Sequence, residues 1–148
     1  MNKTLMTRFP RGVEIIVGGI ILNKKGEILL GKSPKWSNRW VIIGGHLEPG
    51  EKMMTAIKRE VKEETGLSVK PRKFFHFGEM INPRSFHRKA HFIYFDCILD
   101  VVSGKIKMNE EFNSYCWVDP IKALKMNLGE ACDEAITSYL KFRRRNRK

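Results

Sequence analysis

The chain has 148 residues, of which 28 are Lys or Arg and 16 are Asp or Glu, so its formal net charge is +12. This length favours a single domain over residues 1–148, and the absence of an apolar run of roughly 18 residues argues against a membrane protein. The polar opening segment is too short for a signal peptide, and three widely spaced cysteines, Cys97, Cys116 and Cys132, predict free buried thiols in a cytoplasmic protein.

The first part of the chain predicts three strands. Residues 13–22 form a near-continuous apolar run with many β-branched side chains, which is typical of a buried strand. A turn follows at 23–26, and residues 27–31 return as the hairpin partner. A third short strand is predicted at 39–43.

An amphipathic helix is predicted next, from about Glu51 to Thr65, and three of its glutamates crowd towards the apolar face. At about 100° per residue, Glu64 lies about 20° from the apolar Ile57 and Glu60 lies about 60° from it. Glu63 completes an acidic arc at spacings that bring carboxylates together. Such a cluster is either a solvated acidic face or a site where a hard cation, such as Mg²⁺, cancels the charge.

Strands and helices alternate after this helix as well. Extended segments are predicted at 73–81, 90–102 and 115–118, followed by a short helix at 120–126 and an amphipathic helix at 129 to about 144. Mixed strands with helices before and after them predict an α/β fold with a sheet covered on both faces.

The run from Gly45 to Leu67, GHLEPGEKMMTAIKREVKEETGL, resembles the signature box of the Nudix (MutT-like) hydrolases. That pattern is Gly, five residues, Glu, seven residues, Arg-Glu, an aliphatic residue, any residue, Glu-Glu, any residue, Gly and an aliphatic residue. Every fixed position is filled here: Gly45, Glu51, Arg59, Glu60, Val61, Glu63, Glu64, Gly66 and Leu67. Before the box the family commonly has Trp, two residues and Pro-Gly-Gly, and this chain has Ile43 in place of the proline.

The resemblance implies a Nudix fold, in which a mixed β-sheet is sandwiched between helices as an α/β/α sandwich. It also implies a Mg²⁺-dependent pyrophosphohydrolase, with Mn²⁺ as a possible substitute because both ions prefer oxygen ligands. The expected substrate is a nucleoside diphosphate linked to another group, as in a nucleoside triphosphate, ADP-ribose or a nucleotide sugar. The resemblance leaves open whether the protein is a monomer or a homodimer.

The box also implies roles for individual residues. By resemblance, the Gly45 carbonyl and three box glutamates hold the metal, while Glu51 and Arg59 brace the loop against the helix. A further carboxylate is expected before Trp117, and spacing favours Glu111. The expected metal ligands are Gly45, Glu60, Glu63, Glu64 and Glu111. The candidates for catalysis are Glu63, Glu64 and Glu111, and the sequence does not choose the general base among them.

Basic and aromatic residues outside the box are candidates for substrate contact. Three arginines are candidates to hold the diphosphate: Arg39, Arg84 and Arg88. The loop that contains the last two is alternatively a solvated hairpin tip. His46, which adjoins the glycine turn, and His87, in the basic loop, are further candidates to contact substrate, and Trp36 and Phe86 are candidates to stack on a base.

Two alternatives to the small-molecule enzyme follow from the sequence. The basic charge allows an RNA-directed, decapping-like enzyme, although its largest cluster, from about residue 143 to the end, is typical of a frayed terminal tail. A non-catalytic nucleotide-binding Nudix module is the second alternative, but it has no need to keep every acid of the box. A nucleotide-type small molecule is therefore the favoured partner.

Overall fold

Within the part of the chain that the structure describes, seven strands form one mixed sheet, and helices cover both of its faces. The computed structural model describes residues 8–147. In chain order the strands are β1 (Val13–Leu22), β2 (Ile28–Ser33), β3 (Arg39–Val41), β4 (Ile43–His46), β5 (Ser68–Ile81), β6 (His91–Ser103) and β7 (Ser114–Val118). The helices are a 3-10 turn (Pro34–Trp36), α1 (Met53–Thr65), α2 (Pro120–Ala123) and α3 (Cys132–Arg145).

β1 lies at the centre of the sheet, whose order is β3-β2-β1-β6-β5. It runs parallel to β6 along its whole length and is covered on both faces, which explains why its sequence is apolar without alternation. Its pairing with β2 is confined to Leu22 and Ile28. In its middle, β1 pairs with β4 instead of β2, while β2 pairs with β3 and β7. The sheet therefore divides into two branches beyond that single pair.

The hydrophobic core has one part on each side of the sheet. On one side Ile57 and Val61 of α1 pack against Leu99 of β6. On the other side Ile136 of α3 packs against Ile98, the next residue of β6. Since neighbouring strand residues face opposite sides, a single apolar strand supplies both layers, and the α/β/α arrangement expected from the sequence is confirmed.

Helix boundaries differ from the predicted ones at three ends, one of which is the end of α2 at Ala123 and not at 126. α1 begins at Met53, two residues after Glu51, and it ends at Thr65, with Gly66 at its C-cap and φ +78° as expected for a C-terminal glycine. α3 begins at Cys132 and not at 129, after Ala131 in the left-handed region. It continues to Arg145, so the first residues of the basic tail are helical and not frayed.

β5 begins five residues earlier than predicted, since it includes Ser68 to Arg72. Pro71 is tolerated there because β5 is an edge strand and its register shifts next to the proline. The three cysteines are free thiols, and Cys97 and Cys132 are buried. Among residues 8–147 there is no helix with the length and apolar character that crossing a membrane requires.

Candidate active site

A cavity of about 560 Å³ opens where the two branches of the sheet separate. The carboxylates of α1 and the glycine turn of β4 line one part of it, and β6 and the start of α3 line another. The 3-10 turn and the loop before β7 complete the wall. Among the lining residues are Gly44, Gly45, Glu60, Glu63, Glu64, Glu111, Lys35, Trp36, Phe86, Asp96 and Glu130.

The glycine turn brings the backbone of β4 against a carboxylate. A Cβ atom on Gly44 would lie 2.1 Å from the Val17 carbonyl oxygen, and one on Gly45 would lie 2.3 Å from Glu60 Oε2. Real Cβ atoms do not approach other atoms so closely, so any side chain here would push β4 away from β1 or from α1. Glycine therefore allows the Gly45 backbone to lie beside the Glu60 carboxylate.

Glu64 is the most deeply buried acid of the box, with only 4% of its surface exposed. Its carboxyl group is hydrogen-bonded to that of Glu111, and its Oε2 has no partner within residues 8–147. Burial raises the pKa of Glu64 to about 11, and the nearby carboxyl groups of Glu111 and Glu60 add to the rise. The hydrogen bond from Glu64 lowers the pKa of Glu111. The two carboxyl groups therefore share one proton as a coupled pair.

Lys35 is a site residue that the sequence did not reveal. Its Nζ forms an ion pair with Glu111 Oε1, and its side chain lines the cavity. The two residues are 76 positions apart in the chain, and a lysine after Ser-Pro in a polar turn has no feature that marks it as functional. Only the folding of the 3-10 turn against the loop before β7 brings them together.

Arg59 connects α1 to the turn before it. Its Nε donates to Glu51 Oε2 at 2.7 Å and its Nη2 donates to Glu51 Oε1 at 2.9 Å. The same guanidinium reaches the His46 carbonyl at 3.1 Å, Glu60 at 2.9 Å and Glu63 at 3.3 Å. These contacts join α1 to the loop that carries Glu51 and His46, and the bracing role that the box implies for Glu51 and Arg59 stays a prediction.

The chemistry of these carboxylates suits a hard divalent cation, but their present positions do not surround a single point. All the candidate donors are oxygens, and the partnerless Glu64 Oε2 is a buried acceptor that a cation would satisfy. Arg59, however, holds Glu60 and Glu63, and within residues 8–147 no three His, Cys, Asp or Glu side chains already surround one point. Binding a cation therefore requires these carboxylates to rearrange around one point.

The structure does not bring the three predicted diphosphate-binding arginines to the cavity. Arg84 is exposed on the loop between β5 and β6, and Arg39 donates to the Leu128 carbonyl oxygen at 3.3 Å. Arg88 forms a two-pronged ion pair with Glu14, at 2.8 and 2.7 Å, and lies over the Phe86 ring. None of the three lines the cavity. The buried Glu14 engages the Arg88 guanidinium, so contact between Arg88 and a substrate diphosphate stays a prediction.

We expect Arg88→Met to lower the free energy of unfolding by about 1–3 kcal/mol, because it leaves the Glu14 carboxylate buried without its main partner. KM for a nucleotide substrate should stay within a fewfold of the wild-type value. Arg84→Met is the matched control, since it removes the same charge from an exposed position of the same loop. Urea unfolding and initial rates measure both effects. A raised KM with unchanged stability would restore Arg88 to the substrate site.

The aromatic candidates divide into those that reach the cavity and those that do not. Trp36 and Phe86 both line it, with ring centroids 4.6 Å apart. His46 also lines it, and its Nε2 lies 2.8 Å from Glu14 Oε1. His87 is exposed outside the lining.

Comparison with known proteins agrees with the geometry. The family profile described as the NUDIX domain matches residues 13–139. The nucleoside triphosphatase NudI of Escherichia coli K12 is 33% identical over 99 residues, which cover 63% of this chain and 70% of the relative.

Solved structures show the same fold. The MutT protein from Methanosarcina mazei Go1 superposes with a TM-score of 0.71 at 27% identity, covering 92% of this chain and 96% of the other. A MutT NUDIX hydrolase from Burkholderia pseudomallei reaches a TM-score of 0.75 at 20% identity, covering 86% and 98% of the two chains, and so supports the fold alone. The chain therefore belongs to the Nudix hydrolases, enzymes that cleave acid anhydrides in phosphorus-containing compounds.

Proposed function

We propose that this enzyme is a Mg²⁺-dependent pyrophosphohydrolase of nucleoside triphosphates. The observation that carries the proposal is the Glu64–Glu111 carboxyl pair, with its partnerless Oε2, at the cavity wall that Gly45 and Glu60 also line. The NudI relatives are named nucleoside triphosphatases, which favours this class of substrate over ADP-ribose and nucleotide sugars. The cytoplasm is the proposed compartment because its reducing conditions suit the free thiols.

The roles of the residues follow from their positions. The Gly45 carbonyl, Glu60, Glu63, Glu64 and Glu111 would hold the cation, with Mn²⁺ as a possible substitute. When bound, the cation supplies Lewis-acid polarisation of a phosphoryl oxygen and charge neutralisation. Arg59 donates hydrogen bonds to Glu60 and Glu63 and so orients these two carboxylates. Glu51 in turn accepts from Arg59 and holds the guanidinium in place. Lys35 keeps Glu111 ionised and presents an ammonium group at the cavity, where a substrate phosphate would lie.

Hydrolysis requires a base at the attacking water. The water oxygen forms a bond to one phosphorus, the bond from that phosphorus to the bridging oxygen breaks, and the water proton passes to a carboxylate. We assign the proton-accepting step to the Glu64–Glu111 pair, because these two groups share one proton in the cavity. Glu63 is more exposed and forms an ion pair with Arg59, and we assign it a metal-holding role.

A hydrolysis screen with Mg²⁺ tests this function. It should cover nucleoside triphosphates, ADP-ribose, nucleotide sugars, dinucleoside polyphosphates and capped RNA, with products identified by mass. We expect nucleoside triphosphates to give the highest kcat/KM, with loss of activity in chelator and recovery with Mg²⁺ or Mn²⁺. The Glu64→Gln protein serves as the control for contaminating phosphatases. Wild-type activity confined to capped RNA, or no cleavage of any anhydride, would overturn the proposal.

A further inference from the structure

One buried carboxylate of the cavity, that of Asp96, has no task in the reaction as described. Asp96 lies in the middle of the apolar strand β6, with only 2% of its surface exposed, and it borders the cavity on the α3 side of the sheet. Strand register places it in one row with three residues: Gly44 of β4, Gly18 of β1 and His76 of β5. This row links Asp96 directly to the glycine turn of the active site.

The two oxygens of Asp96 have different surroundings. Oδ2 lies 2.9 Å from His76 Nδ1 and so is hydrogen-bonded. Oδ1 has no hydrogen-bond donor within residues 8–147, and it lies 2.8 Å from where a Cβ atom on Gly18 would be. The absence of a side chain at Gly18 leaves the space into which this oxygen extends. A buried acceptor held in place by a histidine is thus left free beside the cavity.

The other polar groups on this side are already engaged. The Tyr94 hydroxyl donates to Glu134 at 3.1 Å. Glu130 accepts from the Ser85 backbone N–H at 2.9 Å and from the Ser85 hydroxyl. Asp96 Oδ1 is therefore an acceptor that a ligand can use without breaking a hydrogen bond between residues 8–147.

The rest of the wall is suited to a flat, partly apolar group. Trp36, Phe86 and Phe92 line the same cavity. The ring centroids of Phe86 and Phe92 are 5.1 Å apart. Aromatic rings that stack on a base and a carboxylate that reads its edge are the two elements that nucleobase recognition requires. The phosphate-cleaving carboxylates line the other part of this cavity.

We infer that Asp96 selects the nucleobase by accepting a hydrogen bond from its exocyclic amino group, so that amino-bearing bases are preferred over their oxo counterparts. This inference rests on the proposed function as a nucleotide hydrolase. An oxo group in the same place would set a carbonyl oxygen against a buried carboxylate oxygen, and both acceptors would lose their hydrogen bonds to water. A site built to hydrogen-bond one group discriminates strongly against an analogue that cannot pair with it.

Paired substrates test the inference directly. CTP and UTP, and likewise ATP and ITP, differ at the amino or oxo group and at the proton of the adjacent ring nitrogen. We expect the wild-type enzyme to favour the amino member of at least one pair by at least about tenfold in kcat/KM, which corresponds to one unpaired hydrogen-bonding group. Asp96→Asn, whose amide both donates and accepts, should reduce that ratio to below about threefold.

Asp100→Asn is the matched control, because it makes the same change on the same strand at a half-buried position paired with Arg72. It should keep the wild-type ratio. Equal use of both members of both pairs by the wild type would overturn the inference, as would an unchanged ratio in Asp96→Asn. The wild-type measurement stands even if Asp96→Asn fails to fold.

Binding separates failure of this inference from failure of the proposed function. Titration with CMP, UMP, AMP and IMP needs no catalysis, and it should show the same preference for the amino member and the same loss in Asp96→Asn. Nucleotide hydrolysis without base preference would refute the role of Asp96 alone. Base-selective binding without hydrolysis would refute the proposed activity and leave the subsite standing, whereas absence of binding and hydrolysis would refute both.

Discussion

Glu64→Gln should lower kcat by at least about 10²-fold while leaving the fold intact. The substitution preserves the shape of the side chain, but it removes the carboxyl group that would hold a cation once ionised and that shares a proton with Glu111. A loss of this size is typical of removing a positioned acid–base group. Initial rates with a nucleoside triphosphate, together with circular dichroism, measure the two parts of the prediction.

Glu79→Gln is the control for the loss of one carboxylate, since Glu79 lies exposed on the edge strand β5. It should keep wild-type activity. Added Mg²⁺ should raise the Tm of the wild type more than that of Glu64→Gln, because only a ligand bound to the native state adds stability. A fully active Glu64→Gln enzyme with an unchanged response to Mg²⁺ would show that Glu64 is no metal ligand.

The same variant has a pH signature in chelator. The folded-state pKa of Glu64 is raised from 4.5 to about 11, chiefly by burial, so the native protein keeps a proton that the unfolded chain releases. The contribution of Glu64 to the free energy of unfolding is fully present below pH 4.5, and it declines as the pH rises towards the pKa of the folded state. Denaturant unfolding of the metal-free proteins should therefore show Glu64→Gln gaining stability relative to the wild type as pH rises through neutrality. A constant difference would contradict the burial of an ionisable Glu64.

Arg59→Met is expected to lower kcat/KM by about 10²-fold and to raise the Mg²⁺ concentration needed for half-maximal rate. The guanidinium fixes Glu51, the His46 carbonyl and Glu60 at once, so its loss leaves the metal-holding carboxylates and the turn before α1 without their common support. Residues that orient metal ligands typically contribute about 10–100-fold to affinity or activity. A Mg²⁺ titration of initial rates separates weaker metal binding from slower chemistry.

The control for Arg59→Met is Lys58→Met, which removes one positive charge from the neighbouring, exposed position of α1. Activity and Mg²⁺ requirement should then stay near the wild-type values. An Arg59→Met enzyme whose Tm falls but whose Mg²⁺ requirement does not change would show that the arginine supports only the fold.

The signature box was readable because its chemistry is local. Glu60, Glu63 and Glu64 share one helix, and helical periodicity alone places Glu64 beside the apolar stripe. The structure agrees, since Glu64 is buried at 4% exposure. Gly66 and the strand faces of β6 were predictable for the same reason, because φ preference and alternation depend on neighbours in the chain.

The residues expected to contact the substrate could not be predicted from the sequence in the same way. Arg88 looked suited to phosphate because it lies in a basic loop, but its partner Glu14 is 74 residues away and appears in the sequence as an ordinary strand residue. Asp96 did carry a signal, as an acid inside the apolar run of β6, although its sequence does not show which side of the sheet opens to a cavity.

The sequence by itself determined the family, the α/β/α architecture and the carboxylates of the helix, because these depend on residue spacing within single elements. Only the tertiary structure decided that Lys35 pairs with Glu111, that Arg88 supports Glu14 and that Asp96 borders the cavity. Each of these contacts joins segments that meet across the sheet or at its division into two branches. Their pairing depends on strand order and register, which arise from long-range packing and leave no periodic pattern in the chain.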